Sequence, residues 1–253
     1  MQIAVIGAGN IGGTLARKWG AAGHHVTFGV RDPNKPEVQQ LVAEIGANAR
    51  ANTIAEAING AEAVLFAVPA AAMTETLSGV GSALNGKLVL DATNNVGAPF
   101  GPVNHVAAIA AAAPHAAVYR AFNIYGWENF ANPRLGGIQA DLFYVGPADA
   151  SARQAAEQLI ADVGLNPVWL GGLDHVDLVD QLLRLVVRAG GRTETRPADS
   201  AQAADGVTSA ALDQTGHWLA RGTAPGGSTS VPTAQASPMW SARFWRLRHP
   251  SGW

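Results

Sequence analysis

The chain opens on MQIAVIGAGNIGG, an apolar β-branched run that breaks at residue 7 into a glycine turn and resumes with apolar residues at helical spacing. Residues 3–6 read as a buried strand. Ile11, Leu15 and Trp19 read as the inward stripe of a helix over 11–22 that Gly23 stops. A G-x-G-x-x-G pattern alone also suits a packing turn, but a strand before it and a helix after it give it meaning. In that setting Gly7 makes the turn, Gly9 lets the backbone approach a pyrophosphate, and Gly12 lets the helix pack close to the strand. The first amides of the helix then face phosphate oxygens.

The next 110 or so residues repeat the alternation. Apolar runs at 26–28, 63–67, 88–90 and 117–121 predict strands, and the spacing predicts helices over 36–46 and 103–113. Pro36 fits a first helical turn, and Thr53 with Glu56 three residues on forms a capping-box signature. Strands this continuously apolar, alternating with helices, imply an α/β fold of Rossmann type, a parallel sheet covered on both faces. The expected organisation is a dinucleotide-binding domain over 1–133 and a smaller α/β region over 134–187. The latter takes strands at 141–145 and 167–170 and helices over 148–163 and 174–187.

The end of the second strand discriminates between dinucleotides. An NAD site usually carries an acid there for the ribose 2′-hydroxyl. Here Val30 is followed by Arg31, Asp32 comes one later, and Lys35 adds a second cation. A guanidinium at that point grips a 2′-phosphate, and Gly29 leaves room for it, so NADP is expected over NAD. Val68 and Pro69 of FAVP, and Asn94 of DATNN (91–95), end predicted strands and should line the nicotinamide end of the cleft.

Other polar groups carry less. His24 and His25 alternate across a strand start, which excludes a shared metal. Asp174, Asp177 and Asp180 share a helix stripe and read as acids favourable to the helix dipole. There is no cysteine, hence no disulfide or thiolate chemistry, and a net charge of −2 offers nucleic acid or an anionic membrane no basic footprint. No basic leader precedes the first strand and no apolar run is long enough to span a bilayer, so a cytoplasmic protein is expected.

From residue 188 the periodicity stops. These last 66 residues hold no lysine, seven arginines and four of the seven tryptophans. They read as a disordered extension or as a GC-rich gene translated out of frame, and the aromatic content favours the second.

The ordered set IGAGNIGG, GVRDPNK, FAVP, DATN, YRAFNIYGWENFANP (119–133), DLFYVG (141–146) and HVDLVDQLLRL (175–185) resembles the F420-dependent NADP oxidoreductase family over about residues 1–185. The resemblance implies that Ala8, Gly9, Asn10 and Ile11 hold the pyrophosphate and that Val30, Arg31 and Lys35 form the 2′-phosphate pocket. The family often has Ser or Thr where Val30 stands, which weakens the NADP preference. By the same resemblance Val68 and Ala72 border the nicotinamide, while Phe122 and Asn123 lie near a second cofactor, the 8-hydroxy-5-deazaflavin coenzyme F420. It implies direct hydride transfer, which needs no catalytic acid or base from the protein, and a homodimer. The family's closing apolar segment after the last helix is replaced here by the aperiodic tail.

Two other readings remain open. One is an NADPH reductase of another small acceptor (a carbonyl, imine, flavin or metal chelate), for which Tyr125 or Asn123 would supply the proton. The other is a module that binds NADPH without turnover.

Overall fold

The computed structural model describes residues 1–95, 103–135, 137–188, 210–212 and 218–220. In chain order the strands and helices of the first half are β1 (Gln2–Ile6), α1 (Asn10–Ala21), β2 (His25–Gly29), α2 (Pro36–Ile45), β3 (Ala49–Asn52), α3 (Ile54–Asn59), β4 (Ala63–Phe66), α4 (Met73–Val80), β5 (Leu88–Asp91), α5 (Val106–Ala112) and β6 (Ala117–Arg120). The six strands form one parallel sheet in the order β3-β2-β1-β4-β5-β6. The order reverses between β1 and β4, and in such sheets the crevice at the carboxyl end of that reversal is where ligands bind.

Burial follows the strand pattern. Every residue of β4 and β5 is buried, as expected of strands covered on both faces. Thr53 caps α3 as its spacing predicts: its hydroxyl accepts from Glu56 N–H, and the Glu56 carboxylate accepts from Thr53 N–H. The strand β3 and the helix α4 are additions to the sequence reading. The β3 residues, Ala-Arg-Ala-Asn, form a half-polar edge strand with no apolar run to announce it.

The second part comprises α6 (Trp127–Ala131), a hairpin of β7 (Arg134–Leu135) and β8 (Ile138–Gln139), then β9 (Asp141–Tyr144), α7 (Ala150–Val163), β10 (Asn166–Trp169) and α8 (Val176–Arg188). The pair β9–β10 is parallel. Beyond β9, Val145 makes an antiparallel bridge to Arg120, so this pair joins the main sheet at the end of β6. One hydrophobic cluster runs through both parts, and α7 packs on α1. There the Trp19 indole donates to Leu159 O at 2.9 Å, which satisfies the polar atom of a large side chain that is otherwise fully buried.

Of the tail, β11 (Ala210–Leu212) and β12 (Trp218–Ala220) form an antiparallel pair. The remainder, on which the reading of an out-of-frame or disordered extension rests, lies outside the described residues. Among the described residues no helix is long and apolar enough to cross a membrane.

Candidate active site

The glycine turn is built as the spacing requires. Gly7 has φ +106°, a region that side chains rarely adopt, and a Cβ there would sit 2.6 Å from Ala67 O. A Cβ on Gly12 would run into the carbonyl oxygen of Gly7. At Gly9 a Cβ would meet nothing within 4 Å, so the backbone there faces open space. Gly9 is the N-cap of α1, with no side-chain cap and no acid in the first turn. The amides of Asn10, Ile11 and Gly12 therefore begin a helix without a carbonyl one turn back to receive them. An open approach, uncapped amides and a positive dipole end fit a pyrophosphate. Ala8 is half-buried beside them.

At the end of β2, Val30 donates its N–H to Asn52 O at 3.1 Å, and Arg31 and Lys35 stand exposed. Asp32 turns one carboxylate oxygen back into its own loop, accepting from Asn34 N–H at 3.0 Å. Gly29 departs from the sequence reading. A Cβ there would lie 2.6 Å from Ile6 Cδ1 and 3.1 Å from Ala57 Cβ, so its smallness serves the packing of α3 against the sheet rather than space for a phosphate. Val68 reaches the glycine turn, with its Cγ1 at 3.1 Å from where a Gly7 Cβ would be. Exposed Pro69 leads into a 3-10 turn, Ala70–Ala72, where Ala72 is half-buried.

Beyond β5 lies a network that the sequence did not announce. Arg120 is fully buried and each of its three guanidinium nitrogens donates to an acceptor. Its Nε donates to Asp180 Oδ1 at 3.0 Å, and one terminal nitrogen donates to the carbonyls of Asp91 (3.2 Å) and Thr93 (2.5 Å). The other donates to Asn94 Oδ1 at 2.8 Å and lies 3.0 Å from Asp180 Oδ1. Asp180 also accepts from Asn104 Nδ2 at 2.6 Å. The buried Asp91 carboxylate accepts from Thr93 N–H, from Thr93 Oγ1–H at 2.6 Å and from His105 N–H at 2.9 Å, with Arg120 at 3.3 Å. Thus Arg120 holds the 91–94 segment from behind and ties α8 to it. The one signal was an arginine inside the apolar run AVYRAF.

Several expected site residues take different roles. Asn94 uses both ends of its amide inside the protein, donating to Asn123 O at 2.8 Å and accepting from Arg120. Phe122, expected beside a second cofactor, points its side chain into the core: it is 1% exposed and meets Trp19 and Phe130 edge-on, with centroids 5.9 and 5.7 Å away. It holds φ +61°, a strained conformation for a phenylalanine that this packing sustains. Asn123 is fully buried, with Nδ2 3.5 Å from Asp180 Oδ1 and Oδ1 without a partner among the described residues.

Tyr125 is a poor proton donor, because its hydroxyl is committed to Asp141 O at 2.7 Å and burial, then the Asp141 charge, push its pKa up. Asp180 is no mere dipole companion: it is buried and ion-paired, whereas Asp174 and Asp177 are exposed. His24 pairs with Asp162 at 2.7 Å and His25 is exposed, and no metal-binding group of three occurs among the described residues. A depression of about 270 Å³ lined by Gln2, His25 and Asn48 lies at the opposite, amino-terminal edge of the sheet and takes no part in the cleft.

Comparison with known proteins agrees with this architecture. Residues 2–95 match the family described as NADP oxidoreductase, coenzyme F420-dependent. The chain is 28% identical over 216 residues to the F420-dependent NADP reductase of Methanothermobacter marburgensis, covering 78% of this chain and 96% of the relative. A crystal structure assigned as an F420-dependent NADP-reductase from Arthrobacter sp. FB24 superposes with a TM-score of 0.66 at 27% identity, over 76% of this chain and 94% of that one. The reductive aminase of Aspergillus terreus, in complex with NADPH, shares the fold at a TM-score of 0.54 and 21% identity, over 74% of this chain and 63% of its own.

Proposed function

For a chain that is a relative of the coenzyme F420-dependent NADP oxidoreductases, we propose an NADP-linked oxidoreductase that passes hydride between NADP(H) and the deazaflavin coenzyme F420. The observation that carries the dinucleotide part is the glycine turn. Its open face at Gly9 and its uncapped helix amides sit where the sheet order reverses. Ala8, Gly9, Asn10 and Ile11 would hold the pyrophosphate. Val30, Arg31 and Lys35 would hold the 2′-phosphate, and Asp32 engaged with Asn34 supports NADP over NAD. Val68, Pro69 and Ala72 would border the nicotinamide.

Bound NADPH supplies the hydride chemistry, so the protein's part is to hold two rings at reacting distance and exclude water. Asn94, Asn123 and the backbone of Phe122 would form the wall toward the acceptor, braced by Arg120. The names of the two F420-dependent NADP reductases that this chain resembles support F420 as the acceptor. A homodimer belongs to the same reading, with Leu178 and Leu185 leaving apolar surface exposed on α8.

The test is spectral. Mixed with NADPH, the protein should bleach the absorbance of oxidised F420 and do so faster than with NADH. Reduction of free flavin or of an imine with F420 untouched would transfer the reading to another acceptor. NADPH binding with no acceptor reduced would leave a binding module.

A further inference from the structure

We infer that His105 carries the proton which accompanies hydride transfer, held for that task by Thr93 and Asp91. The inference rests on the reading that this cleft takes NADPH and a reducible acceptor.

The hydrogen-bond arithmetic of three side chains carries it. Asp91 is placed as an acceptor by Thr93 N–H, His105 N–H and Arg120. Thr93 Oγ1 lies 2.6 Å from Asp91 Oδ1 and 2.7 Å from His105 Nδ1. A hydroxyl has one proton to give, and it goes to the carboxylate. Toward the imidazole the same oxygen can then only accept, so Nδ1 of His105 must bear hydrogen. The proton that comes and goes is therefore on Nε2, which has no hydrogen-bond partner among the described residues. An imidazole fixed in tautomer at one nitrogen, with the other unbonded among the described residues, is an arrangement for moving a proton.

Position supports the role. Thr93 and Asn94 follow directly on β5, at the carboxyl edge of the sheet, one strand from Val68 and two from the glycine turn. His105 is half-buried at the start of α5, and both its ring and its backbone are tied to that edge. Charges joined to the relay include Asp91 on β5, Arg120 on β6 and Asp180 on α8.

Bound NADPH would supply the hydride chemistry: the nicotinamide C4–H bond would break with its electron pair, leaving the nicotinamide oxidised, and the acceptor would be reduced as a new C–H bond formed. One proton is still owed to the acceptor. It leaves Nε2 of doubly protonated His105, the N–H electrons remain on Nε2, and water restores the proton afterwards. In the reverse direction Nε2 takes the proton back. Thr93 is a positioning residue that acts through His105.

Two measurements on the full chain test this. In the protein with ¹⁵N-labelled histidine and no ligand, long-range ¹H–¹⁵N correlations should show His105, identified by its loss in His105→Gln, with hydrogen on Nδ1. Thr93→Val should abolish that preference and Thr93→Ser should restore it. A wild-type His105 with a bare Nδ1 and hydrogen on Nε2 would overturn the inference. In single turnovers, His105→Gln should slow hydride transfer about a hundredfold with the NADPH dissociation constant changed less than about threefold. Transfer at the wild-type rate in that variant would overturn it too. Wild-type protein inert toward F420 would contradict the proposed acceptor instead, and the tautomer measurement, which needs no acceptor, would still decide the His105 arrangement.

Discussion

Arg120 and Asp180, sixty residues apart, meet as a buried ion pair in which Asp180 Oδ1 lies 3.0 Å from both Nε and a terminal nitrogen of the guanidinium. Neither charge has useful access to water, so Asp180 depends on Arg120, while Arg120 also has the Asp91 carboxylate at 3.3 Å. Arg120→Met should cost about 3–5 kcal/mol of stability, because it leaves the buried carboxylates of Asp91 and Asp180 without their cation, and Asp180→Asn should cost less, because Asp91 still lies 3.3 Å from the guanidinium. Replacing both should cost less than the sum of the two. Urea unfolding of the four proteins checks this, and additive losses would show that the pair is not coupled.

Gly9 and Gly12 separate binding from folding. Gly9 has an extended backbone with open space beside it, so Gly9→Ala should unfold at the wild-type temperature yet bind NADPH at least about tenfold more weakly. Gly12→Ala adds a better helix former, worth about 1 kcal/mol in an open helix, but its methyl collides with Gly7 O. It should lower the melting temperature. Calorimetry and a fluorescence titration distinguish the two variants, and a destabilised Gly9→Ala would contradict the open cradle.

Arg31 addresses the choice of dinucleotide. An exposed guanidinium beyond β2 can make charge-assisted hydrogen bonds to a 2′-phosphate that NADH lacks. Arg31→Ala should weaken NADPH binding by about tenfold or more and leave NADH binding within about twofold. Equal losses for both would remove the 2′-phosphate assignment.

Two buried tyrosines set an alkaline limit. Burial, then the charge of Asp149, pushes the Tyr119 pKa up to about 12. Burial and the hydrogen bond to Glu157 push that of Tyr144 higher still. The unfolded chain ionises both near about 10 while the folded protein keeps them neutral. A folded pKa raised above the unfolded one means full stability below pH ~10 and progressive loss above it, through the folded value. Tyr144→Phe should make that decline shallower, as read from urea midpoints between pH 8 and 11.5. An unchanged slope would show that Tyr144 ionises freely in the folded state.

The sheet was legible because its strands are apolar throughout and its turns carry their own chemistry: Gly7 at the first crossover, Thr53 with Glu56 at the third helix. The edge strand β3 escaped because Arg50 and Asn52 break any apolar run. The geometry of the glycine turn was legible for the same local reason, since the turn and the helix amides that follow it are neighbours in sequence. The polar network behind residues 91–94 was not. Arg120, Asp180, Thr93 and His105 are joined by side chains from different elements, and no spacing rule connects residue 93 to 105 or 120 to 180. Phe122 shows the converse. An aromatic in a recognisable motif read as a ligand contact, but its side chain completes the core beside Trp19.

The most direct test of the central claim follows the hydrogen itself. NADPH deuterated at nicotinamide C4, prepared separately on each face, is incubated with the protein and oxidised F420, and the reduced coenzyme is examined by mass spectrometry. Direct transfer predicts one deuterium in the reduced deazaflavin from one face of the nicotinamide and none from the other. Reduced F420 without deuterium from either face, or deuterium lost to water, would contradict a site that passes hydride between two stacked rings.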